Sequence, residues 1–250
     1  MRPWYETAFD EDYLARYPHR DDEEATRDVA AIVDLLDPPR DGPLLDLACG
    51  AGRHLLALSR AGFRRLTGLD LSDELLEVAR RRLDAAGFSD VKLVRADMRS
   101  IPYADRFAAA LSIFTSFGYF EADDENAVVL RAVHRALRPD GRFLIDTLSR
   151  SVTLAELAGE EERECDGRTL RIRRRVSADG LRVEKETRVV ADSGEEEVYR
   201  ESVRMYTADE LSTMFEQAGF LDVSAFGSLR GEPHREASPR LVVVGRKGGG

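Results

Sequence analysis

The sequence predicts an α/β fold in which a mostly parallel sheet carries an antiparallel insertion, and three observations support this prediction. Between residues 44 and 147, short apolar runs alternate with stretches of helical spacing, which is typical of strands joined by crossover helices. A glycine turn at residues 48–52 directly follows the first of those runs. From about residue 161 to residue 206 the hydrophobic period changes to two, which indicates antiparallel strands.

The first 24 residues hold many aromatic side chains among acidic ones. A helix that packs its aromatic face on the domain would explain them, because aromatic side chains bury large apolar areas. A lid that closes over a binding site would explain them as well, and both interpretations stay open at this point. The side chains concerned are Trp4, Tyr5, Phe9, Tyr13 and Tyr17.

The alternating part of the chain contains regular strand and helix signals. Helical spacing of apolar residues, ended by Pro38-Pro39, predicts the first long helix. Ser72 lies where an N-cap is expected, and Gly87 closes the helix that follows it. Strands are predicted at 44–47, 65–69, 91–95, 107–114 and 142–147, and helices at 21–36, 54–60, 73–86 and 124–138.

Residues 161–206 break this alternation. Apolar and charged residues alternate there at a period of two, and Asp179-Gly180 and Ser193-Gly194 supply turns between the runs. The pattern predicts three or four antiparallel strands inserted after the fifth strand of the sheet.

The formal net charge of −10 argues against a nucleic-acid partner bound mainly through its phosphates. The run Arg173-Arg174-Arg175 is the main feature that points the other way. At strand spacing, however, neighbouring arginines lie on opposite faces, and Glu184 and Glu186 on the next strand are expected as cross-strand partners. The run is therefore interpreted as a solvated, charge-paired face.

The alternating pattern resumes at Thr207, whose spacing from Glu210 fits a capping box at the start of a helix. Two more strands are predicted at 221–226 and 240–244. Because the connection between them is too short for a crossover helix, they should pair as an antiparallel hairpin at one edge of the sheet.

Cys49 and Cys165 are the only two cysteines, too few for a disulfide framework or a zinc site. The N-terminus has no apolar signal region, and no run reaches the length that spans a membrane. The sequence thus predicts a cytoplasmic protein with no metal site and no membrane partner.

Acids lie at four predicted strand ends, where ligands of open α/β sheets bind. Asp70, after the second strand, is placed to accept the ribose hydroxyls of an adenosine, and Asp97 with the backbone of Met98 is expected at the adenine edge. Asp46 lies where a cationic or zwitterionic ligand could be bound. A dinucleotide site would need a third glycine at position 55, which is Leu55. The four acids are Asp46, Asp70, Asp97 and Asp146.

Four segments, in order along the chain, resemble the motifs of the class I S-adenosylmethionine-dependent methyltransferases. They are Leu-Asp-Leu-x-Cys-Gly-x-Gly-Arg within residues 44–53, Gly68-Leu69-Asp70-Leu71-Ser72, Arg95-Ala96-Asp97-Met98, and the loop at 137–142. The resemblance implies a Rossmann-like seven-stranded sheet of order 3-2-1-4-5-7-6, with strand 7 antiparallel, and S-adenosylmethionine as cofactor. Ala48 stands where many members have glycine, and cofactor binding is expected to survive because alanine is small.

The insertion and the N-terminal segment are similar to those of small-molecule methyltransferases, including N-methyltransferases of amino sugars. The resemblance implies a lid at 1–24, a cofactor-binding core at 25–158 and 207–247, and an insertion at 159–206 that covers the acceptor pocket. The implied activity is methyl transfer to a nitrogen or oxygen of a small-molecule acceptor by in-line displacement. Two alternative functions stay open: a non-catalytic module that binds the cofactor, and a nicotinamide-dependent oxidoreductase, against which Leu55 argues. A homodimer is a possible oligomeric state.

Two groups of site residues follow from this resemblance. Aromatic faces favour a sulfonium or a developing ammonium, so aromatic side chains are expected to form the acceptor wall. The acceptor group consists of Phe117, Tyr119, Tyr13 and Tyr17. The cofactor group consists of Asp46, Ala48, Gly50, Gly52, Arg53, Asp70, Leu71, Asp97, Met98, Ile113 and Tyr5.

Overall fold

The computed structural model of the protein describes residues 2–9, 11–16, 22–157, 159–165, 167–191 and 194–249. The helices in this part of the chain are α1 Glu11–Arg16, α2 Asp22–Leu36, α3 Arg53–Arg60, α4 Asp73–Ala85, α5 Asp123–Ala136, α6 Arg150–Ala155 and α7 Ala208–Gln217. The strands are β1 Leu44–Leu47, β2 Leu66–Asp70, β3 Lys92–Arg95, β4 Phe107–Ser112, β5 Leu137–Leu148, β6 Glu160–Cys165, β7 Arg168–Val176, β8 Arg182–Ala191, β9 Glu196–Arg204, β10 Phe220–Phe226 and β11 Arg240–Lys247.

Seven of these strands form the main sheet, in the spatial order β10-β11-β5-β4-β1-β2-β3. Counted within this sheet alone, the order is 3-2-1-4-5-7-6, as predicted. The pairs among β1 to β5 are parallel. β11 runs antiparallel to both β5 and β10. The predicted fold class, including the reversed last strand, is confirmed.

Helices cover both faces of the sheet because its central strands are apolar on both sides. β1 and β4 are buried at every position. This is the pattern of parallel strands in a three-layer fold. α5 and α7 bury residues such as Val133 and Phe215 on one face, while α2 and α3 bury residues such as Ile32 and Leu55 on the other. The carboxyl ends of the parallel strands therefore meet at one edge, between the two helical layers.

The absence of a third glycine at position 55 is explained by the packing of α3 on β2. The Leu55 side chain fills the space above Gly68, where an added Cβ would lie 2.5 Å from Leu55 Cδ1 and 2.7 Å from Cys49 Sγ. A Cβ at Gly52 would likewise lie 2.9 Å from the Cβ of Ala79 in α4. Close approach of α3 to the sheet is thus provided by a glycine of the neighbouring strand.

The segment between α5 and β5 differs from the prediction. The helix ends at Ala136, and the strand begins at Leu137 rather than Arg142. Leu137 pairs with Phe107, and the register then shifts so that Arg142 pairs with Ala109. Strand pairing therefore starts before the Pro139-Asp140-Gly141 turn, which is accommodated as an irregularity within β5.

The insertion forms a separate antiparallel sheet of four strands, in the order β6-β7-β8-β9. Charge pairing along its arginine run is confirmed for Arg175, whose Nε lies 2.6 Å from Glu184 Oε2. Arg174 pairs instead with Glu161 of β6 at 3.0 Å. Glu186 lies directly opposite Arg173 in the strand register, as predicted, but its carboxylate forms ion pairs with Arg188 and Arg200.

No helix in the described part of the chain has the length and apolar character needed to cross a membrane. The same residues contain no group of three or more His, Cys, Asp or Glu side chains that could hold a metal ion.

Candidate active site

The turn after β1 has an unusual backbone. Ala48, Gly50 and Gly52 all have positive φ values, of 58°, 51° and 73°. A side chain at Gly50 would meet only Leu75 Cδ1, at 3.9 Å, so the space in front of this residue is open. Ala48 adopts the left-handed conformation without being glycine, which costs about 1–2 kcal/mol. Backbone strain of this kind is concentrated at functional sites.

Asp70 holds this turn in place. Its Oδ2 accepts a hydrogen bond from the Gly50 amide at 2.8 Å, and its Oδ1 accepts one from the Ser72 amide at 2.9 Å. Burial raises the pKa of Asp70, while these hydrogen bonds oppose the rise. Each carboxylate oxygen can accept a further hydrogen bond, so Asp70 can hold the turn and still bind a hydroxyl group.

Asp46 is an unsatisfied acid buried at the end of β1. Only 3% of its surface is exposed, and its Oδ2 has no hydrogen-bond partner among the described residues. Burial and the nearby Asp70 carboxylate raise the pKa of Asp46 to about 8. A buried carboxylate without a partner is costly, so Asp46 is mostly protonated near pH 7 unless a donor or a cation stabilises its ionised form.

A cavity of about 390 Å³ opens in front of the glycine turn. It extends across the tips of the parallel strands, as ligand sites of open α/β sheets do. Eleven of the predicted site residues line it: Tyr5, Tyr13, Ala48, Gly50, Arg53, Asp70, Leu71, Asp97, Met98, Ile113 and Tyr119.

Three of the predicted site residues that the structure describes do not line the cavity. Phe117 is only 1% exposed and packs against Tyr206 in the core, with 5.7 Å between ring centroids. Its assignment to the acceptor wall is therefore wrong. Gly52 packs against α4, and the Asp46 side chain near the end of β1 is only 3% exposed; neither is among the residues that line the cavity. Tyr17 lies outside the described residues.

The environment of Asp97 also differs from the prediction. Its carboxylate accepts hydrogen bonds from the Arg99 guanidinium, the shortest at 2.6 Å, and from the Arg99 amide at 2.8 Å. Partial burial would raise the pKa of Asp97, but the hydrogen bonds from Arg99 hold it below its usual range. Asp97 thus stays ionised and paired, and any contact with an adenine is shared with Arg99.

Arg53 and His54, which follow the glycine turn, face α2. Arg53 donates to Glu24 at 2.7 Å and lies over the Phe114 ring, 4.0 Å from its centroid. His54 Nε2 lies 3.5 Å from Asp28 Oδ2. Burial lowers the pKa of His54 against the opposing effect of Asp28, so the imidazole at the cavity wall is neutral near pH 7.

A second strained turn follows β4. Phe114 and Thr115 have φ values of 60° and 65°. The Phe114 amide donates to Asp146 Oδ2 at 3.2 Å, and the Thr115 amide donates to the Asp146 carbonyl oxygen at 3.0 Å. Arg240 in turn donates to both oxygens of the Asp146 carboxylate, at 2.8 and 2.6 Å. Asp146 therefore orders this turn, a role that its position at a strand end did not reveal.

The N-terminal aromatic residues pack on the loop after this turn. Trp4 and Phe9 both contact Tyr119, with ring centroids 4.8 and 5.6 Å away. Tyr5 contacts Phe120 at 5.2 Å. We refer to Trp4, Tyr5, Phe9 and Tyr13 as the aromatic cover. Sequence reasoning did not assign Phe9, Phe114 and Phe120 to the site, although all three line the cavity.

Among the described residues, no side chain of the insertion lines the cavity. The expectation that residues 159–206 cover the acceptor pocket stays a prediction. The insertion instead contacts the loop at 118–120, and Arg16 at the end of α1 lies over Tyr199 of β9, 3.5 Å from its ring centroid.

A parallel sheet with a glycine turn and buried acids at its strand tips defines the class of α/β enzymes that bind a nucleoside cofactor. Residues 44–141 match a family model described as a methyltransferase domain. The chain is 32% identical, over 83% of its own length and 84% of the relative's, to dTDP-3-amino-3,4,6-trideoxy-alpha-D-glucopyranose N,N-dimethyltransferase of Streptomyces venezuelae. The chain therefore belongs to the S-adenosylmethionine-dependent methyltransferase family.

Solved structures agree with this assignment. DesVI of Streptomyces venezuelae is 26% identical, with a TM-score of 0.70, and the match covers 94% of this chain and 96% of that one. The CcbJ methyltransferase of Streptomyces caelestis shares the fold at 20% identity, with a TM-score of 0.80 and coverage of 97% and 99%. S-adenosylmethionine is the cofactor, and the nicotinamide-dependent alternative is set aside.

Proposed function

We propose that this methyltransferase acts on the amine nitrogen of a small molecule, such as an amino sugar. The observation that supports the proposal is the aromatic part of the cavity lining, which includes Phe9, Tyr13, Tyr119 and Phe120. Aromatic faces attract a sulfonium and the ammonium that forms when an amine is methylated. The relative that is 32% identical is named as an N,N-dimethyltransferase of an amino sugar, which agrees with this acceptor class.

A second group of residues that line the same cavity fits the cofactor. We assign the nucleoside to Asp70, Leu71 and Met98, and the amino acid end to the glycine turn. The unpartnered Oδ2 of Asp46 supports this orientation, because an ammonium group is the kind of cation that would stabilise its ionised form. When bound, S-adenosylmethionine supplies an electrophilic methyl group on a sulfonium.

The contribution of the protein would then be alignment and exclusion of water. In-line displacement at a methyl group needs little covalent help, so holding the two reactants in line can supply several kcal/mol of the barrier. The aromatic cover closes one side of the cavity over Tyr119 and Phe120. We propose on this basis that residues 1–24 act as a lid.

The acceptor class is tested by turnover against matched panels of small amines and phenols. We expect methylation of amines, with a second methyl added to primary amines, and no methylation of phenols. Tyr119→Ala should lower kcat/KM for the amine about tenfold while the affinity for S-adenosylhomocysteine changes by less than about twofold. Tyr119→Phe is the control that keeps the ring. Turnover of phenols alone would contradict the proposal.

The setting of the reaction is also a proposal. The net charge of −10 and the two cysteines support a cytoplasmic enzyme whose acceptor is a small molecule rather than a nucleic acid or a membrane lipid. A homodimer stays a prediction that light scattering on the purified chain would test.

A further inference from the structure

Arg182, near the start of β8, binds backbone oxygens rather than a carboxylate. Its Nη1 donates to the Phe120 carbonyl oxygen at 2.9 Å, and its Nη2 donates to those of Gly118 and Tyr119 at 3.1 and 3.2 Å. Its remaining hydrogen bonds go to the carbonyl oxygen and Oγ of Ser202, at 2.7 and 2.8 Å. One guanidinium group therefore joins three consecutive residues of the loop after β4 to the insertion.

This arrangement is unusual for a partly buried arginine. None of the ion pairs among the described residues involves Arg182, although the insertion is rich in glutamate. Burial lowers the pKa of Arg182, which reflects the cost of placing its charge there. Because a guanidinium has donors fixed in a plane, its full set of hydrogen bonds specifies the positions of all the carbonyl groups at once.

A second contact fixes the same loop from the same side. The Gly118 carbonyl oxygen also accepts a hydrogen bond from the Arg204 amide at 2.9 Å. Gly118 has a φ of 91°, and a Cβ there would lie 2.8 Å from the Arg204 carbonyl oxygen. The loop thus lies directly against the end of β9, and glycine is required for this approach.

The loop carries the residues that connect the cavity to the aromatic cover. Tyr119 and Phe120 line the cavity, and their outer sides contact Trp4, Phe9 and Tyr5. A displacement of the loop would therefore move the acceptor wall and remove the surface on which the cover packs. The hydrogen bonds that the Arg182 side chain makes within the described part of the chain go to residues 118–120 and Ser202, not to the strand tips that we assign to the cofactor.

We propose that Arg182 is a positioning residue for the acceptor. Through it the insertion sets the place of Tyr119 and Phe120 and the closure of the aromatic cover, without lining the cavity itself. The acceptor part of this inference rests on the proposed function. The structural part, which concerns the loop and the cover, stands on the contacts alone.

The test uses Arg182→Met and Arg182→Lys in the full chain, with Arg200→Met as the matched control. Arg200 lies on the adjacent strand β9, has a side chain that is 70% exposed, and pairs with Glu186. Trp4 is the only tryptophan, and it packs on Tyr119, so intrinsic fluorescence reports on the cover without an acceptor. The two further readouts are the affinity for S-adenosylhomocysteine and the KM for an amine that the wild type methylates.

We expect Arg182→Met to shift Trp4 emission to longer wavelength and to increase its quenching by acrylamide. The KM for the amine should rise about tenfold, while the affinity for S-adenosylhomocysteine changes by less than about twofold. Arg182→Lys should fall between wild type and Arg182→Met, because one ammonium cannot reach all of these carbonyl groups. Arg200→Met should behave as wild type in every readout.

Unchanged Trp4 emission and unchanged KM in Arg182→Met would overturn the proposal. An equal loss of cofactor and acceptor binding would overturn it too, since it would show a general structural role. If Arg182→Met does not fold, Ser202→Ala removes only the Oγ acceptor and should give a smaller change of the same kind. If the wild type methylates no amine, the proposed acceptor class fails, whereas the Trp4 measurement still decides the role of Arg182.

Discussion

The parts of the cavity that we assign to the cofactor and to the acceptor are built in different ways. At the cofactor end, the turn at 48–52 and the β2–α4 junction are joined by backbone hydrogen bonds to one carboxylate, that of Asp70. The part that we assign to the acceptor is lined by side chains from the N-terminus and from the loop after β4, which are distant in the chain. That loop is held in turn by Arg182 of the insertion, for example through a hydrogen bond to Phe120 that spans 62 residues. The first end depends on a local motif, and the second depends on how separate units pack together.

Phe117 and Tyr119 are two residues apart in the same loop but have different surroundings. Phe117 is buried in the core, whereas Tyr119 lines the cavity. Phe117→Ala should lower the free energy of unfolding by about 3–5 kcal/mol, since it removes a fully buried ring. Urea denaturation measures this loss. Tyr119→Ala, at a partly exposed ring, should cost clearly less. A stable Phe117→Ala protein with impaired turnover would return Phe117 to the acceptor wall.

Asp70→Ala tests the cofactor end. The variant should weaken binding of S-adenosylhomocysteine by about 1.5–3 kcal/mol, because charge-assisted hydrogen bonds are lost and the turn is released. Isothermal titration calorimetry would show this as roughly a 10- to 150-fold rise in Kd. Asp73→Ala, at an exposed acid three residues further on, is the control and should bind normally. An unchanged Kd for Asp70→Ala would remove Asp70 from the site.

Since we assign the amino acid end of the cofactor to the glycine turn next to Asp46, the raised pKa of Asp46 should make cofactor binding pH-dependent. With a pKa of about 8, Asp46 is mostly protonated in the cofactor-free protein at pH values below 8. A bound ammonium group would favour its ionised carboxylate. The affinity for S-adenosylhomocysteine should therefore rise by up to about tenfold per pH unit as pH increases from about 6 to about 8, and then level off. Asp46→Asn should abolish this rise. A flat wild-type profile over the same range would show that Asp46 does not meet the ammonium group.

The smallest effect is expected for a substitution of Ala48, and it concerns the free energy of unfolding. Ala48→Gly relieves a left-handed residue but adds freedom to the unfolded chain, so the free energy of unfolding should rise by roughly 0.5–1 kcal/mol. Ala51→Gly is the matched control in the same turn, because Ala51 is not among the residues with positive φ, and it should lower stability. Denaturation curves of the two variants would separate these outcomes. Equal effects would mean that the strain at Ala48 is negligible.

Sequence reasoning grouped most of the residues assigned to the cofactor correctly around one cavity, because they follow neighbouring strands of the sheet. The glycine turn, Asp70 and Leu71 needed only the strand periodicity and one motif to be placed at adjacent strand ends. The pairing of Asp97 with Arg99 was missed, although the two residues are only two positions apart. The residues proposed for the acceptor wall were predicted less well, because Phe117 is buried whereas Tyr119 lines the cavity. Residue spacing in a loop does not tell which side chain faces the core.

The sequence by itself determined the alternation of strands and helices and the hairpin at the sheet edge, and its motifs carried the family resemblance that implied the strand order and the cofactor. The alternation and the hairpin depend on hydrophobic period and turn residues, which are properties of contiguous segments. Only the tertiary structure showed that Phe117 is buried, that Asp146 and Arg240 order the Phe114 turn, and that Arg182 ties the insertion to Tyr119 and Phe120. Those contacts form between segments far apart in the chain, and their partners are selected by the packing of the two sheets rather than by any local pattern.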